Sequence, residues 1–438
     1  MEDTASSRDE LVRWLYGLEI SGIKLGLDNM MKLLRNLGNP EREFSSVHVA
    51  GTNGKGSTCA MIAAILETEG YRTGLYTSPH FVELEERIRV DDGQISTRDL
   101  LDTALKVRES AEAISARDGT SFTFFEITTA LAFEYFARRR VEYAVVEVGL
   151  GGRLDSTNVI SPLVSVITHV ALEHTAYLGN TIQSIAHEKG GIIKKGIPAV
   201  TAELDRDALS EMERLAAERG TELLRMNELV EVRPVVNRWG ELVIEAHGMR
   251  DYGTIRPGVW GSYQVENIGL AIAASEQMQQ TGVYISDAAV IEGIRNVKWS
   301  GRLQIPSASD YFVFDSAHNP DAMQALQKSI RETTDEDLLC VLGILSDKNL
   351  AKMMPSVRGF ASEVICVSPE TPRARQAVEL KQAAEECGMR AVTAGGVGEG
   401  MEMAESIRAG RKVVVTGSLR TVGEAMEWWF DKKGERLW

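Results

Sequence analysis

Residues 46–58 read Ser-Val-His-Val-Ala-Gly-Thr-Asn-Gly-Lys-Gly-Ser-Thr: an apolar run, a glycine-rich turn with one lysine, then two hydroxyls. A helix-forming run from Cys59 to Glu69 follows. A strand that feeds a glycine loop and a helix N-terminus lines up backbone N–H groups around a concave surface. Such a surface suits polyphosphate, and the helix dipole adds to the attraction. On this reading Gly51, Thr52, Asn53, Gly54, Gly56 and Thr58 shape a phosphate cradle for ATP. Lys55 reaches the β- and γ-phosphates, and Ser57 or Thr58 stands near Mg2+. The usual phosphate loop carries its hydroxyl directly after the lysine, whereas here Gly56 intervenes. The alternative is a plain glycine-rich βα turn.

Outward from this stretch, short apolar runs at 45–50, 72–77, 143–148, 163–169 and 197–202 read as strands. Helical spacing at 56–69, 123–139 and 206–219 lies between them, which predicts a parallel sheet flanked by helices. Residues 222–247 break the rhythm, and the turn signal Asn237-Arg238-Trp239-Gly240 predicts a small antiparallel excursion. The βα rhythm restarts at 311–315 and runs through 338–343, 362–367 and 411–416, with helical spacing at 320–332, 375–389 and 398–408. The fold class expected is α/β: an N-terminal P-loop-type parallel-sheet ATPase domain over 1–298 and a smaller C-terminal Rossmann-like α/β domain over 299–438. Lys298-Trp299-Ser300-Gly301-Arg302 is the expected linker, and the N-terminus is expected to fray.

A chain of 438 residues exceeds one ordinary core, so two or three domains are expected. The formal charge of −15 argues against a nucleic-acid or anionic-membrane surface, while a local basic loop can still take small anions. Cys59, Cys340, Cys366 and Cys387 stand far apart with no CxxC pair, which points away from a disulfide framework or zinc site and toward a reducing cytosol. Neither a basic-then-apolar leader nor a bilayer-length apolar stretch is evident, so a cytoplasmic protein is expected.

Further motifs stand where the strands are read to end. Tyr76-Thr77-Ser78-Pro79-His80 follows the second strand, and ligands bind at the carboxyl ends of parallel strands. Glu147 interrupts the apolar run Val145–Val148, where a charge is costly unless it is paired or bound to metal. Magnesium coordination is favoured over an ion pair with Arg153. Asp315-Ser316-Ala317-His318-Asn319-Pro320 ends another apolar run and reads as a ligand-binding turn.

In this order the motifs resemble the folylpolyglutamate synthase/dihydrofolate synthase family of the Mur ligase superfamily. The carriers are the 51–58 loop, the TSPH segment at 77–80, Glu147 to Asn158 (EVGxGGRxDxTN), His169 to His174 (HxxLDH, with Glu173 for Asp), Glu188 to Lys194 (EKxGIIK) and the Asp315–Pro320 turn. The resemblance continues through Gly343–Lys348 and Thr416–Leu419, so it spans nearly the whole chain. It implies an ATP-dependent ligase that turns a pteroate or folate carboxylate into an acyl phosphate and joins it to L-glutamate.

The resemblance also implies roles. Ser57, Ser78, Glu147 and His174 would hold magnesium, and Lys189 would be carbamylated beside it. Asn267, Asp315 and Arg302 would meet the nucleotide, Arg302 reaching the phosphates. Thr77, Pro79, His80, Arg87 and Asp155 would face dihydropteroate or a reduced folate, while His318, Lys348 and Ser418 would position glutamate. Lys55, Lys189, Arg302 and His318 form the implied catalytic set, on a monomer. The chain departs from the family at Tyr263 (often His), Ser300 (often Pro), Ser316 (often Gly) and Arg420 (often Tyr). Other readings are a ligase for another pterin acid or a cell-wall precursor, an ATP-binding regulator without ligation, and a nucleotide kinase.

Overall fold

The computed structural model describes residues 2–19, 24–309 and 311–438. Among these, the larger sheet holds β1 Ser45–Ala50, β2 Thr73–Tyr76, β3 Ile88–Val90, β4 Gly93–Gln94, β5 Tyr143–Glu147, β6 Val164–Ile167, β7 Ala199–Thr201 and β8 Leu223–Arg225. Their spatial order is β4-β3-β2-β5-β1-β6-β7-β8, and only the β2–β3–β4 edge is antiparallel. Strands β9 Glu231–Arg238, β10 Glu241–His247 and β11 Asp251–Ile255 form a separate antiparallel sheet. Strands β12 Phe312–Phe314, β13 Leu338–Leu342, β14 Ala361–Cys366, β15 Arg390–Thr393 and β16 Val413–Thr416 form a wholly parallel sheet in the order β12-β16-β13-β14-β15.

The central strands are apolar on both faces because helices cover both. Val47, Val49 and Val145 pack into one core with the helices Lys55–Glu69, Tyr263–Gln280 and Asp287–Asn296. Tyr76, Ala144 and Val146 pack on the opposite side with the helices Asp28–Leu37, Thr97–Asp118 and Phe124–Arg139. The first core continues through Leu303 and Val313 into the second parallel sheet.

Connections leave β1 in both directions, since β5 lies on one flank and β6 on the other. Such a switch point opens a crevice at the carboxyl ends of the strands. The 51–58 stretch begins there.

Local differences from the sequence reading have identifiable causes. Leu223–Arg225 pairs parallel with β7 and so belongs to the large sheet, and the antiparallel excursion begins only at Glu231. Its β9–β10 hairpin does turn at Trp239-Gly240, where Gly240 takes φ +73°. The run 163–169 stops as a strand at Ile167, and Thr168 and His169 brace the turn that follows β1. The short β3–β4 hairpin was not anticipated; it turns on Asp91 and Asp92, both left-handed. The N-terminus is helical over Glu2–Glu19 rather than frayed. Leu11 and Leu15 bury against the second core, and Arg8 donates to both Glu85 carboxylate oxygens at 2.8 and 2.9 Å. No described helix is long and apolar enough to cross a membrane.

The helix that starts at Lys55 lies tight against the helix Asp287–Asn296. A Cβ built on Gly293 would stand 2.6 Å from Ile65 Cα, a backbone atom that cannot move aside alone. We expect Gly293→Ala to cost about 1–3 kcal/mol through overpacking. Urea unfolding checks this, and the midpoint should fall with little change in slope.

Candidate active site

The turn Gly51–Gly54 runs between β1 and the helix Lys55–Glu69. Gly51 takes φ +151°, and a Cβ there would fall 1.8 Å from Thr168 Oγ1. Gly54 takes φ +86°, and its Cβ would fall 2.4 Å from Asn267 Oδ1. Backbone conformation and crowding therefore both demand glycine. The loop after β6 holds the turn from outside. Thr168 Oγ1 donates to Asn53 O at 2.6 Å, and Thr52 N donates to His169 O at 2.6 Å. Thr52 Oγ1 donates to Ala171 O at 3.2 Å and accepts from Ala171 N at 3.0 Å.

Two lysines meet on one carbonyl. Lys55 Nζ donates to Gly51 O at 3.1 Å and to Thr52 O at 3.0 Å, while Lys189 Nζ donates to Gly51 O at 2.6 Å. Lys189 is buried, and burial, followed by the neighbouring Lys55 charge, lowers its ammonium to about 7. Its amine is thus substantially unprotonated at neutral pH.

Glu147 ends β5 almost fully buried and accepts from Ser78 N at 2.9 Å. Burial pushes its carboxyl up, and Lys55 beside it pulls the other way. Arg153 does not neutralise it, being held by Glu188 at 2.8 Å. Ser57, Ser78 and His174 line the same cavity as Glu147. No group of three His, Cys, Asp or Glu side chains able to hold a metal occurs among the described residues. Two hydroxyls, one carboxylate and one imidazole instead form a sparse, oxygen-rich set. That set fits Mg2+, which keeps waters and takes phosphate oxygens.

The opposite wall comes from the turn after β12. Asp315 accepts from Tyr263 OH at 2.7 Å, Leu303 N at 2.9 Å and Ala317 N at 2.9 Å. Burial nevertheless pushes its carboxyl up. Arg302 donates to Gly301 O at 2.9 Å and is also held by Ser316 Oγ. Across the cleft, Glu173 receives three groups from this second region: His318 Nε2 at 3.2 Å, Asn319 Nδ2 at 3.3 Å and Lys348 Nζ at 3.5 Å. Burial works to raise the Glu173 carboxyl, but the His318 contact and the surrounding positive charges hold it well below the usual range. Asn53 Nδ2 donates to Asp321 Oδ2 at 2.7 Å, a second link across the cleft.

A third region opens toward the helix Phe124–Arg139. Arg87 Nε donates to His80 Nδ1 at 2.8 Å, and its guanidinium stands 5.1 Å from the centroid of the Phe124 ring. Asp155 is buried, with Leu150 N donating to Oδ2 at 2.8 Å and Thr157 N to Oδ1 at 3.0 Å.

These regions enclose one cavity of about 1080 Å³. Its lining includes Thr52 to Ser57, Thr77 to His80, Arg87, Glu147, Asp155, His174, Asn267, Arg302, Asp315, His318, Lys348 and Ser418. Three of the residues singled out from sequence lie outside it. Gly51 and Lys189 sit behind the loop, linked by their hydrogen bond, and Thr58 is fully buried with its hydroxyl unpartnered. Ser418 reaches the cavity, but its hydroxyl caps the helix Leu419–Lys433 by accepting from Thr421 N. Sequence reasoning missed Tyr16, Phe124, Phe125, His169 and Asp321 as lining residues, and it left Glu173 without a partner. The one available signal was the apolar-aromatic stretch 122–125; the others are brought in by distant segments.

The sequence matches the Mur ligase middle domain over residues 49–275 and the Mur ligase glutamate ligase domain over residues 301–419. It is similar to the dihydrofolate synthase/folylpolyglutamate synthase of Bacillus subtilis (strain 168), with 35% identity over 380 residues, 85% of this chain and 87% of that one. The structure is similar to folylpolyglutamate synthase from Thermotoga maritima, with a TM-score of 0.87, 34% identity and 98% of each chain covered. It is also similar to Escherichia coli FolC in complex with DHPP and ADP, with a TM-score of 0.85, 30% identity, and 97% of this chain and 98% of that one covered.

The cavity carries an acid-sensitive group. Burial, then the Arg87, Arg420 and Arg8 charges, push the His80 imidazole down to about 3 from 6.5. Between those values the unfolded chain takes up a proton that the folded chain refuses, so acid favours unfolding. We expect the urea midpoint of the protein to fall more steeply between pH 6.5 and pH 4 than that of His80→Gln. Parallel curves would count against a neutral, buried His80.

Proposed function

We propose, for a chain that belongs to the Mur ligase family in its folylpolyglutamate synthase/dihydrofolate synthase branch, that all three substrates meet in this one cavity. The protein is an ATP-dependent ligase that joins L-glutamate to a pteroate or folate carboxylate and releases ADP and phosphate. The observation that carries the assignment of roles is the meeting of Thr52 to Ser57, Glu147 and the Asp315–His318 turn in a single cleft.

ATP phosphates would lie on the loop, with the nucleoside toward Asn267 and Asp315. Lys55 and Arg302 would stabilise the equatorial oxygens as a carboxylate oxygen of the acceptor attacks the γ-phosphorus and the bond to ADP breaks. Mg2+, held by Ser57, Ser78, Glu147 and His174, would neutralise phosphate charge. The acceptor then carries an acyl phosphate. The glutamate nitrogen attacks its carbonyl carbon, the C–O bond to phosphate breaks, and an amide remains. His318 and Lys348, oriented by Glu173, together with Ser418, would hold glutamate for that attack. Thr77, Pro79, His80, Arg87 and Asp155 would hold the pterin acid, with Phe124 offering a flat apolar face. The links across the cleft keep water from the acyl phosphate.

Lys189 supports a further assignment. A buried lysine whose ammonium is lowered to about 7 can, as the free amine, add its nitrogen to carbon dioxide and lose a proton, forming a carbamate behind the loop. We place the enzyme in the cytoplasm as a monomer; its four free cysteines, three of them buried, suit a reducing compartment.

The deciding experiment follows glutamate incorporation and phosphate release together, with dihydropteroate, tetrahydrofolate, a tetrahydrofolate diglutamate and a UDP-muramoyl acid as acceptors. Turnover with dihydropteroate alone identifies a dihydrofolate synthase, and turnover with the folates as well identifies a bifunctional enzyme. Silence with every pterin overturns the acceptor class. Lys55→Ala should lower phosphate release by at least about a hundred-fold while the melting temperature stays put. Lys189→Ala should be similarly inactive, yet regain part of its rate with added formate or acetate, which a merely structural lysine would not allow.

A further inference from the structure

His48 is a buried titratable side chain that the mechanism above leaves unused. It stands at the centre of β1, paired with Val146 of β5 and Ser165 of β6, and it is fully enclosed. An imidazole in such a place is costly unless both nitrogens are satisfied. Here only one is. Nε2 lies 2.8 Å from Thr157 Oγ1, and Nδ1 has no partner. Thr157, also fully buried, places the same hydroxyl 2.5 Å from Asp155 Oδ1.

A hydroxyl has one proton to give. If that proton goes to the Asp155 carboxylate, the oxygen must accept from His48, which requires the proton on Nε2 and leaves Nδ1 bare. Nδ1 has no acceptor within reach, so a proton there would be buried and unpaired, and the polarity with Nε2 protonated costs less. We propose that His48 and Thr157 form a directed hydrogen-bond relay that positions the Asp155 carboxylate as an acceptor for the N–H groups of the pterin acid. His48 and Thr157 are positioning residues, and neither lines the cavity, whereas Asp155 does. The relay rests on the functional reading above in one respect only: that the molecule beside Asp155 is the ligase's acceptor. Burial keeps the imidazole neutral, lowering it to about 3, so the relay does not reverse in the working range.

The proton position is measurable without any substrate. Nitrogen-15 shifts of His48 in the full-length protein should show Nε2 protonated and Nδ1 bare. A proton on Nδ1 would overturn the relay. Kinetics supply the second arm, with dihydropteroate as the probe. His48→Val and Thr157→Val should each raise the dihydropteroate KM by about ten-fold, the loss of one hydrogen bond in the chain that ends on Asp155, and leave the ATP KM unchanged. Thr157→Ser should keep the original KM. The double variant should be no worse than Thr157→Val alone, because both changes cut one chain. Equal shifts in both KM values, additive effects, or an unchanged dihydropteroate KM in His48→Val would overturn the proposal. If the unmodified protein turns over neither dihydropteroate nor a folate, the functional reading fails while the nitrogen shifts still decide the relay; if it uses folates alone, tetrahydrofolate replaces dihydropteroate as the probe.

Discussion

The backbone of Gly51–Gly54 follows its path only because no side chain stands between it and Thr168 on one flank or Asn267 on the other. Everything else in the site is arranged around that turn. The loop after β6 is stitched to it by hydrogen bonds from Thr52 and Thr168, so the end of one strand fixes the exit of its neighbour. The Gly51 carbonyl then collects two lysines, one in the cavity and one behind it. Burial, and after it the neighbouring Lys55 charge, lowers the Lys189 ammonium.

The second region approaches this turn through polar contacts more than through bulk. Glu173 takes His318, Asn319 and Lys348, and Asn53 takes Asp321. Such polar contacts replace hydrogen bonds that the separated surfaces would make with water, so they set register more than they set strength. That balance suits a cleft that must admit three substrates and release three products. Apolar continuity comes from deeper down, where Trp299 packs so closely on Gly56 that a Cβ there would meet its ring at 2.8 Å. The chain thus holds its cleft at a rigid base and a polar rim.

Much of this was legible in the primary structure, for local reasons. The run from Val47 to Glu69 announces strand, turn and helix because period, glycine and helix propensity all agree there. The β9–β10 turn was legible in Trp239-Gly240 for the same reason. The β3–β4 hairpin was not, since strands of three and two residues carry no readable period. Leu223–Arg225 was assigned to the wrong sheet, because an edge strand of three residues looks alike beside a parallel or an antiparallel neighbour. Ser418 lines the cavity, as a residue of the Thr416–Leu419 motif, but its helix cap depends on where the helix begins.

The amino-acid sequence by itself determined the α/β class, the glycine turn between β1 and its helix, and the residue types that chemistry with phosphate, metal and carboxylate would need. These follow from short-range patterns, in which spacing along the chain already implies spacing in space. Only the tertiary structure decided which partner each charge takes: Arg153 with Glu188 and not Glu147, Glu173 with His318 and Lys348, Lys189 with Gly51. It also decided that Thr58 faces the core and that His48 reaches Asp155 through Thr157. The physical reason is that burial and pairing are properties of packed surfaces, which join residues as many as 175 positions apart, and separation in sequence says nothing of such distances.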